Sequence, residues 1–103
     1  MLSTTNFNLN GSDFKSQYEK DQNAKLLDVR TPSEYYDFHI QDAFNIDILA
    51  PDFTNKLGQL DKSCSYYVYC RSGNRSGQAC QLMNQLGFKV YNLDGGISTW
   101  PKN

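Results

Sequence analysis

Cysteine and histidine are scarce in this chain. Its 103 residues hold three cysteines, none in a Cys-x-x-Cys pair, and one histidine. A disulfide framework and a zinc centre are therefore not expected, and no metal or organic cofactor is called for. Reduced thiols suit a cytoplasmic protein. Charge of one sign is not in excess either: ten basic residues against eleven acidic leave a net charge of -1. That balance argues against general nucleic-acid or membrane-surface binding. Met1 to Lys20 contain no apolar stretch, so neither a signal peptide nor a membrane span is expected. Internal repeats and low-complexity tracts are absent, and the oligomeric expectation is a monomer or weak dimer.

What is present is enough for one core. A hydrophobic fraction of 39% places residues 1–103 with globular chains as a single domain, and disorder is not expected. Asn10-Gly11-Ser12-Asp13 offers capping oxygens before Phe14 and Tyr18, four apart on one helix face. Leu26–Val29 reads as a buried strand. In Thr31-Pro32-Ser33-Glu34, Thr31 caps a helix, Pro32 opens it and Glu34 completes a capping box. Ala43–Ile48 predicts a strand, and Phe53, Leu57 and Leu60 predict an amphipathic helix. Tyr66–Tyr69 is a strand, and Ala79, Leu82, Met83 and Leu86 share a helix face. Phe88–Leu93 is the last strand, Gly95-Gly96 a turn, and Pro101 stops a short helix around Trp100. Strands alternating with helices imply an α/β fold, a mostly parallel sheet with helices on both faces. Ligands of such sheets bind outside the carboxyl ends of the strands, where Asp28 and Cys70 both arrive.

The most informative run is Cys70-Arg71-Ser72-Gly73-Asn74-Arg75-Ser76, between the Tyr66–Tyr69 strand and the following helix. Backbone N–H groups of a tight loop and a helix N-terminus act as fixed partial positive charges. Two nearby guanidinium groups add full charge, and both effects lower a thiol's pKa. Strand, cysteine, loop, arginine and helix together make a cradle for a thiolate that handles an anion.

This run resembles the active-site loop of the rhodanese family, in which Cys70 to Arg75 matches the six-residue loop of the sulfurtransferases. Phosphatases and arsenate reductases of the same fold have a loop one residue longer. Leu26-Leu27-Asp28-Val29-Arg30 with Thr31-Pro32-Ser33-Glu34-Tyr35 resembles the family's first signature. His39-Ile40 with Ala43-Phe44-Asn45-Ile46 resembles the second. Gly87-Phe88 and Leu93-Asp94-Gly95-Gly96-Ile97 through Trp100 resemble the last. Two positions depart from the pattern: Phe38 and Asp42 stand where glycines are usual.

The resemblance implies a rhodanese-like fold and a sulfurtransferase in which Cys70 is the nucleophile and carries sulfur as a persulfide. The partners implied are a small anionic sulfur donor such as thiosulfate and a thiol, protein or cyanide acceptor. Backbone N–H groups across Arg71, Ser72, Gly73, Asn74, Arg75 and Ser76 would hold the persulfide's charge. Arg71 is expected to point outward to the donor, whereas Arg75 either touches substrate or anchors the loop. Asp28 would orient the loop or pair with an arginine, and Arg30 is expected to pair with Glu34. His39 reads as structural, not as half of a Cys-His dyad. Cys64 and Cys80 read as packing or surface residues, neither placed to resolve a persulfide. The competing readings are a non-catalytic binding module of this fold, a phosphatase or arsenate reductase, and a relay that takes sulfur from a protein persulfide.

Overall fold

The computed structural model describes residues 6–102. Its elements are β1 (Asn8–Leu9), α1 (Gly11–Lys20), β2 (Ala24–Asp28), α2 (Pro32–Asp37), β3 (Phe44–Asn45), α3 (Phe53–Leu57), β4 (Ser65–Tyr69), α4 (Asn74–Gln85), β5 (Lys89–Leu93) and a closing 3-10 turn (Ile97–Thr99). All strands are parallel, in the order β1-β5-β4-β2-β3. The architecture is the α/β fold, a parallel sheet with helices on both faces, that the alternation of strands and helices implies.

Alternation along the strands builds the two layers. Tyr66, Val68 and Cys70 share a cluster with Leu27, Val90 and the buried Phe53, Leu57, Ala79 and Met83 of α3 and α4. Tyr67 and Tyr69 face the other way and pack with Leu26, Leu93 and Phe14 of α1, with Tyr35 of α2 partly buried beside them. Successive side chains of a strand point to opposite faces, so one run serves both cores. Every residue of β4 is buried, as a central parallel strand requires. Burying each large apolar side chain there contributes about 1.5–3 kcal/mol.

The tyrosine hydroxyls on that strand must keep hydrogen bonds, and they do. Tyr66 donates to the Asp61 carbonyl at 2.8 Å and Tyr67 to Asp21 at 3.0 Å, while Tyr69 accepts from the Ile40 N–H at 3.1 Å. Burial pushes the phenols of Tyr66 and Tyr67 up to about 12, so all remain neutral donors or acceptors near pH 7.

Several local expectations shift by a few residues. The strand predicted over Ala43–Ile48 is regular only at Phe44–Asn45. Beyond it β2 has ended, and the Ile46 and Ile48 N–H groups bond to the carbonyls of Asp28 and Val29 without a continuous ladder. The helix from Phe53 stops at Leu57 with Gly58 as its C-cap, so Leu60 reaches the core from a turn. The final helix is a single 3-10 turn, with Trp100 at its end against Phe14 and Tyr18. The sequence reading missed β1, whose two residues pair with Asn92 and Leu93.

The two unusual positions behave differently. Asp42 has φ of 73°, the left-handed conformation that a glycine adopts without strain. Phe38 is in extended backbone, where no glycine is needed. Among the described residues, no helix is long and apolar enough to cross a membrane.

The strand order decides where a ligand can sit. From β2 the chain moves outward to β3 by way of α2, on the face that carries α1. From β4 it moves the opposite way to β5 by way of α4, on the other face. The crevice between the carboxyl ends of β2 and β4 is thus the topological switch point. Asp28 lies directly beside Tyr69 in the register, so the β2 end and the Cys70 loop arrive together.

At the β2 end sits a buried ion pair. Arg30 reaches back to Asp28 with Nη2 at 2.7 Å from Oδ2 and Nε at 3.1 Å, and its backbone N–H bonds the same carboxylate at 2.8 Å. The side chains are 7% and 0% exposed. Removing one partner of such a pair strands a buried charge, which costs about 3–5 kcal/mol. Arg30→Ala is therefore expected to lower stability by about that amount. Urea unfolding checks it, and a loss well under 1 kcal/mol would mean that water already reaches Asp28.

Candidate active site

Cys70 follows β4 and is buried, with its sulfur turned into the loop that leads to α4. That helix begins at Asn74 without a side-chain cap, because its N-cap is Gly73 at φ 97°. Helix N-termini leave N–H groups without partners, normally met by a Ser, Thr, Asn or Asp oxygen. Here the sulfur takes that part. Cys70 Sγ accepts from the Gly73 N–H at 3.1 Å, the Ser76 N–H at 3.3 Å and the Ser76 hydroxyl at 3.2 Å.

These contacts determine the thiol's acidity. Burial pushes the Cys70 pKa up, but the Ser76 hydroxyl and the N–H groups of Ser76, Ser72 and Gly73 outweigh it, and the net direction is down. Hydrogen bonds to the charged form favour that form. The guanidinium groups, expected to share in this, are not among the leading causes.

Arg75 explains why. Its Nη1 and Nη2 clasp Glu34 Oε1 and Oε2 at 2.8 and 3.1 Å, a two-pronged pair joining the first turn of α4 to the first turn of α2. Glu34 also accepts from the Thr31 N–H and hydroxyl at 3.1 Å each, so the capping box and the ion pair share one carboxylate. The Arg75 hydrogen bonds hold the Glu34 carboxyl at about 2. The Arg30–Glu34 pair expected from sequence does not form. Arg30 lies ahead of α2 rather than on it, so four-residue spacing does not bring the two together, and Arg30 folds onto Asp28 instead.

The other loop residues separate by exposure. Arg71, Ser72 and Asn74 are exposed, Gly73 and Arg75 are half-buried, and Ser76 is buried. His39 stacks on Tyr35 at 3.9 Å and its Nδ1 lies 2.8 Å from the Tyr35 carbonyl. It is not among the groups bonded to the sulfur. Cys64 is half-buried and Cys80 fully buried, and burial pushes the Cys80 thiol up and keeps it protonated. All three cysteines are free.

Two supports were not visible in the loop's own sequence. The Ile97 N–H bonds the Cys70 carbonyl at 2.9 Å, tying the loop to the turn after β5. A Cβ on Gly96 would come within 1.9 Å of the Arg71 carbonyl oxygen, so only glycine lets that turn back the loop. The Gly95-Gly96 doublet, a turn signal and part of the closing signature, is the sequence sign of the second support. From sequence Glu34 is expected as a helix cap and as the partner of Arg30, not of Arg75.

Comparisons with known proteins show the family. The chain matches the family model described as the Rhodanese-like domain over residues 11–103. It is 37% identical over 84 residues to a sulfurtransferase of Allochromatium vinosum, covering 80% of this chain and 76% of that one. It is 32% identical over 71 residues to the thiosulfate sulfurtransferase PspE of Escherichia coli, covering 69% and 68%. A rhodanese-related protein of Thermoplasma volcanium superposes with a TM-score of 0.79 at 31% identity, covering 90% of this chain and 88% of that one.

Two outcomes are expected from the geometry. Ser76→Ala removes the side-chain donor and should raise the Cys70 pKa, moving the pH dependence of iodoacetamide alkylation to higher pH. An unmoved profile would show that the N–H groups suffice. The Glu34 carboxyl is lowered on folding, so its contribution to stability is complete above the unfolded value of 4.5 and is lost as pH falls toward about 2. Glu34→Gln should therefore flatten the fall in urea midpoint between about pH 5 and about pH 3. An equally steep fall in the variant would assign acid sensitivity to other carboxylates.

Proposed function

The chain belongs to the rhodanese-like domain family, and we propose that it is a sulfurtransferase that carries sulfane sulfur on Cys70. The observation that carries this reading is the convergence of three donors on one sulfur, within 3.1 to 3.3 Å. Such a site stabilises a thiolate at rest. It offers equally aimed donors to the negative charge of a persulfide formed there.

With thiosulfate as donor, the Cys70 thiolate attacks the outer sulfur. The S–S bond of the donor breaks, and sulfite leaves with its electron pair. Cys70 then holds a persulfide anion, and a second nucleophile attacks the outer sulfur and returns the thiolate. This is covalent catalysis in two half-reactions, with ping-pong kinetics. No general base is needed, because the loop already favours the thiolate.

The arginines divide the remaining work. Arg71 is exposed at the loop and serves the anionic donor and departing sulfite. Arg75 anchors the loop through Glu34, which supports the structural alternative for that residue. Asp28 and Arg30 are held by each other and steady the neighbouring strand end. Ser72, Gly73 and Ser76 supply backbone donors, and Ser76 adds its hydroxyl. The three unpaired thiols fit a reducing, cytoplasmic setting.

Intact mass after brief exposure to thiosulfate tests the reading. The wild type should gain one sulfur atom, reversed by a thiol, and Cys70→Ser should gain none while keeping its fold. Arg71→Ala should weaken use of thiosulfate by about tenfold through the Michaelis constant, as loss of one charge-assisted contact does. Normal turnover in Cys70→Ser would overturn the mechanism.

A further inference from the structure

A surface groove of about 770 Å³ lies beside α1 and Trp100 and includes no residue of the Cys70 loop. A second groove, about 530 Å³, does border the loop, with Ser72, Gly73 and Asn74 forming one wall. Its remaining walls come from α4, from β1 and the residues before it, and from β5 and Asp94 after it, and apart from Phe7 and Gly77 they are polar: Asn8, Gln78, Gln81, Asn92 and Asp94 among them. Gly73 links the two sites, since its N–H is 3.1 Å from Cys70 Sγ. The groove is thus one peptide unit from the reacting sulfur.

Asn92 is the informative residue. It is 3% exposed. Its amide nitrogen donates to Asn8 Oδ1 at 2.8 Å and to the Gly73 carbonyl at 3.3 Å. Those two acceptors fix the orientation of the amide, because turning it over would set oxygen against oxygen. The Asn92 oxygen then has no partner among the described residues. A buried acceptor without a donor costs about 1–3 kcal/mol. The groove above it also carries the Asp94 carboxylate on its rim and, among its lining residues, no lysine, arginine or histidine. One unmet acceptor and one negative charge suit a ligand that donates hydrogen bonds and bears positive charge. They do not suit a second anion.

We infer that this groove is the subsite for the sulfur acceptor and that the acceptor is an aminothiol, a thiol carrying a protonated amine. The inference rests on the sulfurtransferase reading above. Donor and acceptor are then sorted by charge: the anionic donor meets Arg71, and the ammonium group meets Asp94, with the buried, unpartnered Asn92 oxygen adding negative partial charge behind the groove wall. The acceptor's thiol gives its proton to the Cys70 persulfide anion as its sulfur attacks the outer sulfur. The S–S bond breaks, Cys70 leaves as thiolate with the electron pair, and the acceptor departs as a persulfide that keeps the proton. No net oxidation occurs.

The test has a binding arm and a turnover arm. Titration of ¹⁵N-labelled protein with S-methylcysteamine, which has the amine but no free thiol, should shift the side-chain amide signals of Asn92, Gln78 and Gln81. The matched carboxylate, 3-(methylthio)propanoate, should leave them in place. With thiosulfate as donor, cysteamine should be a better acceptor than 3-mercaptopropanoate. Asp94→Asn should lower the ratio of cysteamine to cyanide turnover about fivefold, the worth of one exposed ion pair. Unmoved amide signals, or equal effects of amine and carboxylate, would overturn the acceptor site. Absence of sulfur transfer to cyanide in the wild type would instead overturn the sulfurtransferase reading, whatever the binding arm returned.

Discussion

The contact between Cys70 Sγ and the first turn of α4 is the interaction on which the rest of the rim depends. A helix that starts at a glycine without a side-chain cap leaves N–H groups unmet, and the sulfur meets the one on Ser76. The arrangement serves both parties. The helix gains a cap, and the thiol gains donors that overcome the cost of burying its charge. Neutral donors lead because they are aimed and shielded from water, conditions under which a hydrogen bond is stronger than in solution. A lone cysteine in the same core without them would behave like Cys80, whose thiol burial pushes upward.

The charged residues near the site act mainly as fasteners. Asp28 and Arg30 close the end of β2, and Glu34 and Arg75 bind α2 to α4 across the switch-point crevice. Their energetic weight differs with burial. The first pair is almost wholly enclosed, so breaking it leaves a charge that water cannot reach. The second is about one-quarter exposed at each side chain, where screening reduces what it contributes. Its value is geometric: two parallel hydrogen bonds set the distance between helices that come from opposite faces of the sheet. Arg71 is left as the exposed cation of the loop, so the loop's arginines do different work despite being four positions apart.

Backing from the β5 side completes the cradle. Gly96 lets a turn press against the Arg71 carbonyl, and Ile97 bonds the Cys70 carbonyl. Asn92, one strand over from Cys70, holds the Gly73 carbonyl. The loop is therefore gripped through its backbone from two sides, and its side chains are free to vary in role. A short β1, easily overlooked in a sequence, extends the sheet far enough to bring Asn8 to Asn92.

Much of this was legible beforehand. The capping box at Thr31–Glu34, the buried β4 strand and the cysteine at a strand-to-helix junction follow from local rules of spacing and composition, which act within a few residues. The alternation of strands and helices likewise specified a parallel sheet and put Asp28 and Cys70 on one rim. Two-residue strands carry too little periodicity to read, so β1 was missed and β3 was drawn too long. Ion-pair partners were harder still. Spacing along the chain suggested Arg30 with Glu34, but the fold brings Arg75 to Glu34 from 41 residues away. The choice among acceptors for a guanidinium depends on which helices meet, and that depends on strand order. The sequence by itself determined the chemical groups at the rim and the local turns that present them. Only the tertiary structure decided which of them touch, because those contacts join segments distant in the chain, and no local preference encodes them.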